Sequence, residues 1–262
     1  MRLVGTAASG IRAQQIAINT IGNNLANANT PGFKANQMVF AETLSTEMRS
    51  GNTKTEENTA VGVDVGAGVL YSASGTNLQQ GNLAFTDRPL DLGIEGSGFF
   101  QVKTPDGRIS FTRGGAFQVD KDGQLADMQG NIVQPNISIP IGATDVSVAT
   151  NGDITGVIDG ISNIFGQIVL TGFRNPEGLQ RIENNLYVPT VNSGEPQVGL
   201  PGSAIAGNQV LGTISGQSLE QSNVDVATSM TDLIQVQKAY QMNARLVQDG
   251  DKMWGIANTM RR

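Results

Sequence analysis

Two seven-residue columns of apolar residues, one at each end of the chain, constrain the fold more than any other feature. Near the N-terminal end Val4, Ile11, Ile18 and Leu25 recur every seventh position, and Ala7, Ile21 and Ala28 fall three places after members of that column. Only Gln14 interrupts the second column. Near the C-terminal end Val226, Leu233, Tyr240, Val247 and Trp254 form an unbroken column, with Leu246, Met253 and Met260 beside it. This is the a/d spacing of a helix that packs along another helix. The spacing predicts a first helix over about residues 3–28, roughly 39 Å long. It predicts a second from about Asn223, with Asp225 as N-cap and Arg261 and Arg262 at the negative end of its dipole. Gly250, between Asp249 and Asp251, marks a weak point in that helix.

The other face of the first helix carries Thr6, Ser9, Gln15, Asn19, Thr20 and Asn23, with Arg12 its one charge. A solvated helix face normally carries Lys and Glu, so this face suits contact with neighbours. Thr30-Pro31-Gly32 is expected to end the helix, because Pro31 lacks a donor and restricts the residue before it. The stretch from Gly32 to about Thr76 is polar, and Val61, Val63, Val65 and Val69 alternate weakly, which suggests an extended linker. From about 77 to 215 the signals are those of strands. Leu90-Asp91-Leu92-Gly93-Ile94 and Phe99-Phe100-Gln101-Val102 are separated from later segments by turn chemistry at Pro105-Asp106-Gly107, Asp120-Lys121-Asp122-Gly123, Asn151-Gly152 and Asp159-Gly160.

The expected class is therefore α+β: long N- and C-terminal helices pairing as a coiled-coil-like helical domain, with a central, mostly antiparallel β-domain. The expected division is 1–30 for the N-terminal helix, 31–76 for the linker, 77–215 for the β-domain and 216–262 for the C-terminal helix. Two helices alone bury too little apolar surface to offset the entropy of ordering them. The seam therefore needs more partners, and copies of the same chain are the nearest supply. A head-to-tail contact that fails to close gives a helical filament.

Composition narrows the function classes. Only 15% of the 262 residues are charged, against roughly 25% in an average soluble domain, which leaves much uncharged polar surface that is easy to bury against a subunit. A net charge of −6 without a basic cluster disfavours nucleic acid and anionic membrane as partners. The absence of cysteine and histidine removes disulfides, thiolate chemistry and the commonest general base. No apolar run suits a membrane span, and Gly5, Thr6, Ser9, Gly10 and Arg12 interrupt any signal-peptide core.

Three constellations invite a chemical reading. Asp120, Asp122 and Gly123 resemble part of a calcium loop, but Gln118 and Gln129 stand at its first and twelfth positions, so a hairpin turn is favoured. Asp87, Asp91 and Glu95 could suggest paired carboxylates, with Asp91 and Glu95 on one side of an alternating segment. Nothing marks either acid for a raised pKa, and catalysis is not expected. Gly93, Gly96 and Gly98 are spaced loosely like a nucleotide loop, yet no helix follows, and bends between strands explain them better. Asn23, Asn24 and Asn27 leave two readings open: capping of free carbonyls at the helix end, or bonds to adjacent subunits. No cofactor or metal is expected.

Residues 21–34, Ile-Gly-Asn-Asn-Leu-Ala-Asn-Ala-Asn-Thr-Pro-Gly-Phe-Lys, closely resemble the N-terminal signature of the flagellar axial proteins of rod and hook. Asn23, Asn24, Leu25 and Asn27, then Pro31, Gly32 and Phe33, carry the match. Leu90–Phe100, Phe111-Thr112-Arg113-Gly114-Gly115-Ala116-Phe117 and Leu219–Val226, with Ser222, Asn223 and Val224, continue it. Length and detail are more similar to the distal-rod type, while the proximal-rod or hook-type subunit stays open, and a secreted β-domain glycan hydrolase is a remote alternative. The resemblance implies a non-catalytic subunit exported unfolded without a cleaved signal to the basal body, outside the cytoplasmic membrane. There it would polymerise with its own copies into a straight tube that transmits torque and encloses the export channel. Other rod and hook subunits, the rod cap and surrounding ring proteins are the implied partners.

Overall fold

The computed structural model describes residues 2–43, 46–48, 63–65, 68–205 and 209–260. The chain divides into two compact units, one formed by Met1–Ala26, Asn36–Gly75 and Asp225–Arg262 and the other by Asn27–Ala35 and Thr76–Val224. The class is α+β, and the strand pairs of the second unit are antiparallel.

In the first unit α1 (Arg2–Ala26) and α2 (Val226–Thr259) are in contact. Small residues let the helices approach: Ala7 and Ala17 are buried, and a Cβ on Gly10 would stand 2.8 Å from the side-chain nitrogen of Asn243. Ile11, Ile18, Ile21 and Leu25 are half-buried, as are Leu233, Tyr240 and Val247 on α2. Val226 and Trp254 are exposed, and the Val4 side chain, with Arg261 and Arg262, lies outside the described residues. Asp225 caps α2 as expected, accepting from the Ala227 amide at 2.9 Å and the Thr228 hydroxyl at 2.6 Å. The Thr228 bond, then the backbone bonds, hold its carboxyl below the usual carboxylate range. α2 passes unbroken through Gly250, which is buried, so the expected weak point produces no interruption.

α1 stops at Ala26, four residues ahead of Thr30. A turn takes over, with the Thr30 amide on the Asn27 carbonyl and the Phe33 amide on the Thr30 carbonyl; Pro31 follows a chain that has already left the helix. Beyond it the expected linker contains two paired strands, Asn36–Glu42 and Val69–Thr76, with Phe40 and Tyr71 edge-to-face at 6.3 Å. Thr46–Met48 pairs with Val63–Val65, and Val61 lies outside the described residues.

Two side chains of α1 hold this strand pair. Asn24 accepts from the Asn36 amide and donates to the Asn36 carbonyl, both at 2.9 Å, and the Ser9 hydroxyl accepts from the Val69 amide at 3.3 Å. The fifteen helical residues from Ser9 to Asn24 rise about 22 Å, close to the roughly 20 Å that strand Asn36–Glu42 covers. The strand thus lies along α1. Asn24→Ala removes both bonds to Asn36 and is expected to destabilise this end of the strand by about 1–2 kcal/mol, read as faster hydrogen exchange at the Asn36 amide.

In the second unit Phe99–Lys103 is central. It pairs with Ile109–Thr112 on one edge, and with Ile132–Gln134 and Leu170–Gly172 along the other. Alternation sends neighbouring side chains into different cores. Phe100 joins Leu92, Ile94, Phe117 and Leu125, while Phe99 joins Phe111, Phe173, Leu179 and Tyr187. The last strands, Thr213–Gly216 and Ser218–Glu220, return to pair with Leu92–Glu95 and Leu83–Phe85.

Candidate structural anchor where the motifs converge

The motif segments that resemblance singled out meet inside the second unit. Lys34 and Glu220 are wholly buried and form an ion pair, although 186 positions separate them in the chain. Arg113, also buried, completes the group through a 3.2 Å bond from its guanidinium to the other Glu220 oxygen. Backbone fills the remaining valences. The Gly81 amide donates to the Glu220 carboxylate at 3.0 Å, Lys34 Nζ donates to the Gln79 carbonyl at 2.7 Å, and Arg113 donates to the Gly96 carbonyl at 2.9 Å. Burial lowers the Lys34 pKa, and this outweighs the hydrogen bond and attraction from Glu220; the nearby Arg113 charge lowers it further.

The segment around Lys34 is gripped on all sides. The Gly32 amide donates to the Glu220 main-chain carbonyl at 2.7 Å. Phe33 is buried, with the Arg181 guanidinium 4.2 Å from its ring centre, a cation–π contact. The Asn223 side chain accepts from the Ala35 amide at 2.8 Å and donates to the Asn77 and Gln79 carbonyls at 2.8 and 3.0 Å. Gly32 has φ +68°, and a Cβ there would lie 2.6 Å from the Gly114 amide nitrogen. Gly32→Ala is expected to cost at least about 2 kcal/mol through backbone strain and this clash, measured as a lowered melting temperature of the β-unit.

Other motif residues act locally. Within the single chain the Asn24 side chain bonds Asn36 and not a free carbonyl at the end of its own helix. The Asn27 side-chain oxygen accepts from the Thr30 hydroxyl at 3.2 Å, and the Ser222 hydroxyl accepts from the Val224 amide. Asn23 and Pro31 are exposed, and Val224 is half-buried. Sequence reasoning passed over Lys34, Arg113 and Glu220 as individual residues. The signal that could have found them is a lysine, an arginine and a glutamate each embedded in a motif of an otherwise charge-poor chain.

The chemical constellations resolve into structure. Asp120–Gly123 is a hairpin turn closed by the Gly123 amide on the Asp120 carbonyl. Asp91 is buried and accepts from the Thr86 hydroxyl at 2.9 Å, whereas Glu95 is exposed, so the two acids do not share an environment as their spacing suggested. Gly96 and Gly98 take positive φ at the bend between strands. Among the described residues no cluster of three or more metal-ligating side chains occurs, and no helix is long and apolar enough to cross a membrane.

The chain thus joins a helical unit of α1 and α2 to a β-unit tied by buried ions between its motif segments, and the families it matches are those of flagellar structural subunits. Residues 5–34 match the family described as flagella basal body rod protein, 93–156 the flagellar hook protein FlgE/F/G D1 domain, and 215–260 the flagellar basal body rod FlgEFG protein C-terminal region. The chain is 39% identical to the flagellar basal-body rod protein FlgG of Buchnera aphidicola, over 94% of each chain. It is 37% identical to the FlgG of Borreliella burgdorferi, over 100% of this chain and 99% of the relative, and 36% identical to that of Caulobacter vibrioides over the whole of both. The chain belongs to the FlgG family of flagellar basal-body rod proteins, of the distal-rod type; it is a structural protein and not an enzyme. The hook-type, proximal-rod and glycan-hydrolase alternatives find no support.

Proposed function

We propose that the helical unit is the assembly unit and that copies of this chain polymerise through it into the straight tube of the distal rod. In this reading α1 and α2 form the inner helical domain around the export channel, residues 27–35 and 76–224 the β-domain, and 36–75 the connection packed with the helices. Val4, Ile11, Ile18, Ile21, Leu25, Val226, Leu233, Tyr240, Val247 and Trp254 form coiled-coil-like seams between helices. One observation carries it: α2 keeps Met242, Leu246, Met253, Trp254, Ile256 and Met260 exposed within a single chain. Apolar surface of that extent on one helix calls for a protein partner. The family likeness supports a place in the basal body outside the cytoplasmic membrane, with other rod and hook subunits, the rod cap and surrounding ring proteins as contacts. Electron microscopy of the purified full chain at rising concentration tests the reading. Straight tubes are expected; a species that stays monomeric at every concentration, by sedimentation, overturns it.

A further inference from the structure

One groove and one ridge of the helical unit carry complementary charges. The groove, about 420 Å³, runs between α1 and the strand beginning at Val69. Ala8, Ala13, Ile16, Leu70 and Tyr71 give it an apolar lining, with Arg12 as its only charge. Among the described residues Arg12 makes no ion pair, and Leu70 is 59% exposed. The ridge is on α2. Met242, Leu246, Asp249, Met253, Ile256 and Met260 follow helical spacing of four and three residues, which places them on one face. At about 100° per residue this face points away from the half-buried row of Leu233, Tyr240 and Val247. All six are exposed, and Asp249 is the only charge among them. Its one ionic contact within the described residues is a loose, exposed pair with Lys252 at 3.6 Å.

We propose that the α2 ridge of one copy docks in the α1 groove of a second copy, with Asp249 meeting Arg12 across the contact. This rests on the self-assembly proposed above and identifies the surfaces that meet. The one cation of the trough and the anion of the ridge fix register along the contact, since a slip takes each away from its partner. Arg12 can replace the ammonium of Lys252 with a planar, two-pronged donor.

The chain has no cysteine, so disulfide trapping is clean. Ala8→Cys or Ile16→Cys chains are mixed with Leu246→Cys or Met253→Cys chains and oxidised under polymerising conditions. A cross-linked dimer is expected in at least one mixture. Arg12→Glu should suppress the cross-link and raise the concentration needed for polymerisation by at least about tenfold, because it sets like charges together. Adding Asp249→Arg to the same chain should restore both. If the mixtures polymerise without any cross-link, or the reversed pair fails to rescue, the docking is wrong while self-assembly stands. If the unsubstituted chain does not polymerise, both readings fall.

Discussion

Glu220→Gln is expected to cost about 3–5 kcal/mol of β-unit stability, a drop on the order of 10 °C in melting temperature. The substitution keeps size and leaves a polar side chain, so the loss reports charge. Glu220 is the single anion between two buried cations, Lys34 and Arg113. Removing it leaves two positive charges facing each other where solvent cannot reach. Removing Lys34 instead leaves Arg113 and Glu220 as a neutral pair. Lys34→Met should therefore be the mildest of the three changes, with Arg113→Met between.

The pH dependence separates this account from simple loss of packing. Lys34 has a folded-state pKa below its ordinary 10.5. Its protonation is thus disfavoured by folding, and the contribution sits on the alkaline side: stability from this group is full above 10.5 and is lost as pH falls through the lowered value. In Glu220→Gln the lysine can escape the repulsion by losing its proton, whereas the arginine cannot. The deficit of the variant should narrow as pH rises from 7 toward 10, followed by thermal melts across that range. A deficit that is constant with pH would mean that shape, and not charge, holds the anchor.

The second large effect concerns assembly. Ile18→Asp or Leu233→Asp should raise the polymerisation threshold by about a thousandfold or more, which corresponds to roughly 4 kcal/mol. Both side chains are only half-buried in the single chain, so an aspartate there still reaches water before assembly. Once copies close over the seam the charge has no partner, and desolvation costs several kcal/mol. The β-unit should melt at an unchanged temperature in both variants, because Ile18 and Leu233 lie in the helical unit. Sedimentation shows the loss of polymer and calorimetry the intact β-unit. Normal polymers from either variant would remove these residues from any shared seam.

Periodicity made the helices legible because Leu233, Tyr240 and Val247, a seven-residue row on α2, are half-buried together. It marked large apolar residues, however, and so missed small ones: Ala7 and Ala17 are buried on α1, and Gly10 lies against Asn243 of α2. Small residues give no hydropathy signal; their effect is steric. The strands of the β-unit were legible from turn chemistry at Asp120–Gly123 and Asn151-Gly152. Their pairing was not, since partners such as Leu83–Phe85 and Ser218–Glu220 come from distant parts of the chain. The strands Asn36–Glu42 and Val69–Thr76 were hidden because their apolar residues Val39, Phe40, Leu70 and Tyr71 stay exposed and show no buried alternation, while side-chain bonds from Asn24 and Ser9 hold the strands. The anchor was invisible for the same reason of distance: nothing local to Lys34 announces a glutamate 186 positions away.

That separation also dictates when the β-unit can form. The partners of Leu83–Phe85 and Leu92–Glu95 arrive only with residues 213–220, and the carboxylate that neutralises Lys34 and Arg113 is the last of them. A nascent polypeptide short of Glu220 leaves those two strands without these partners and two cations without their counter-ion. The ionic latch therefore closes only after the motif around Glu220 has been made, later than the strands it secures.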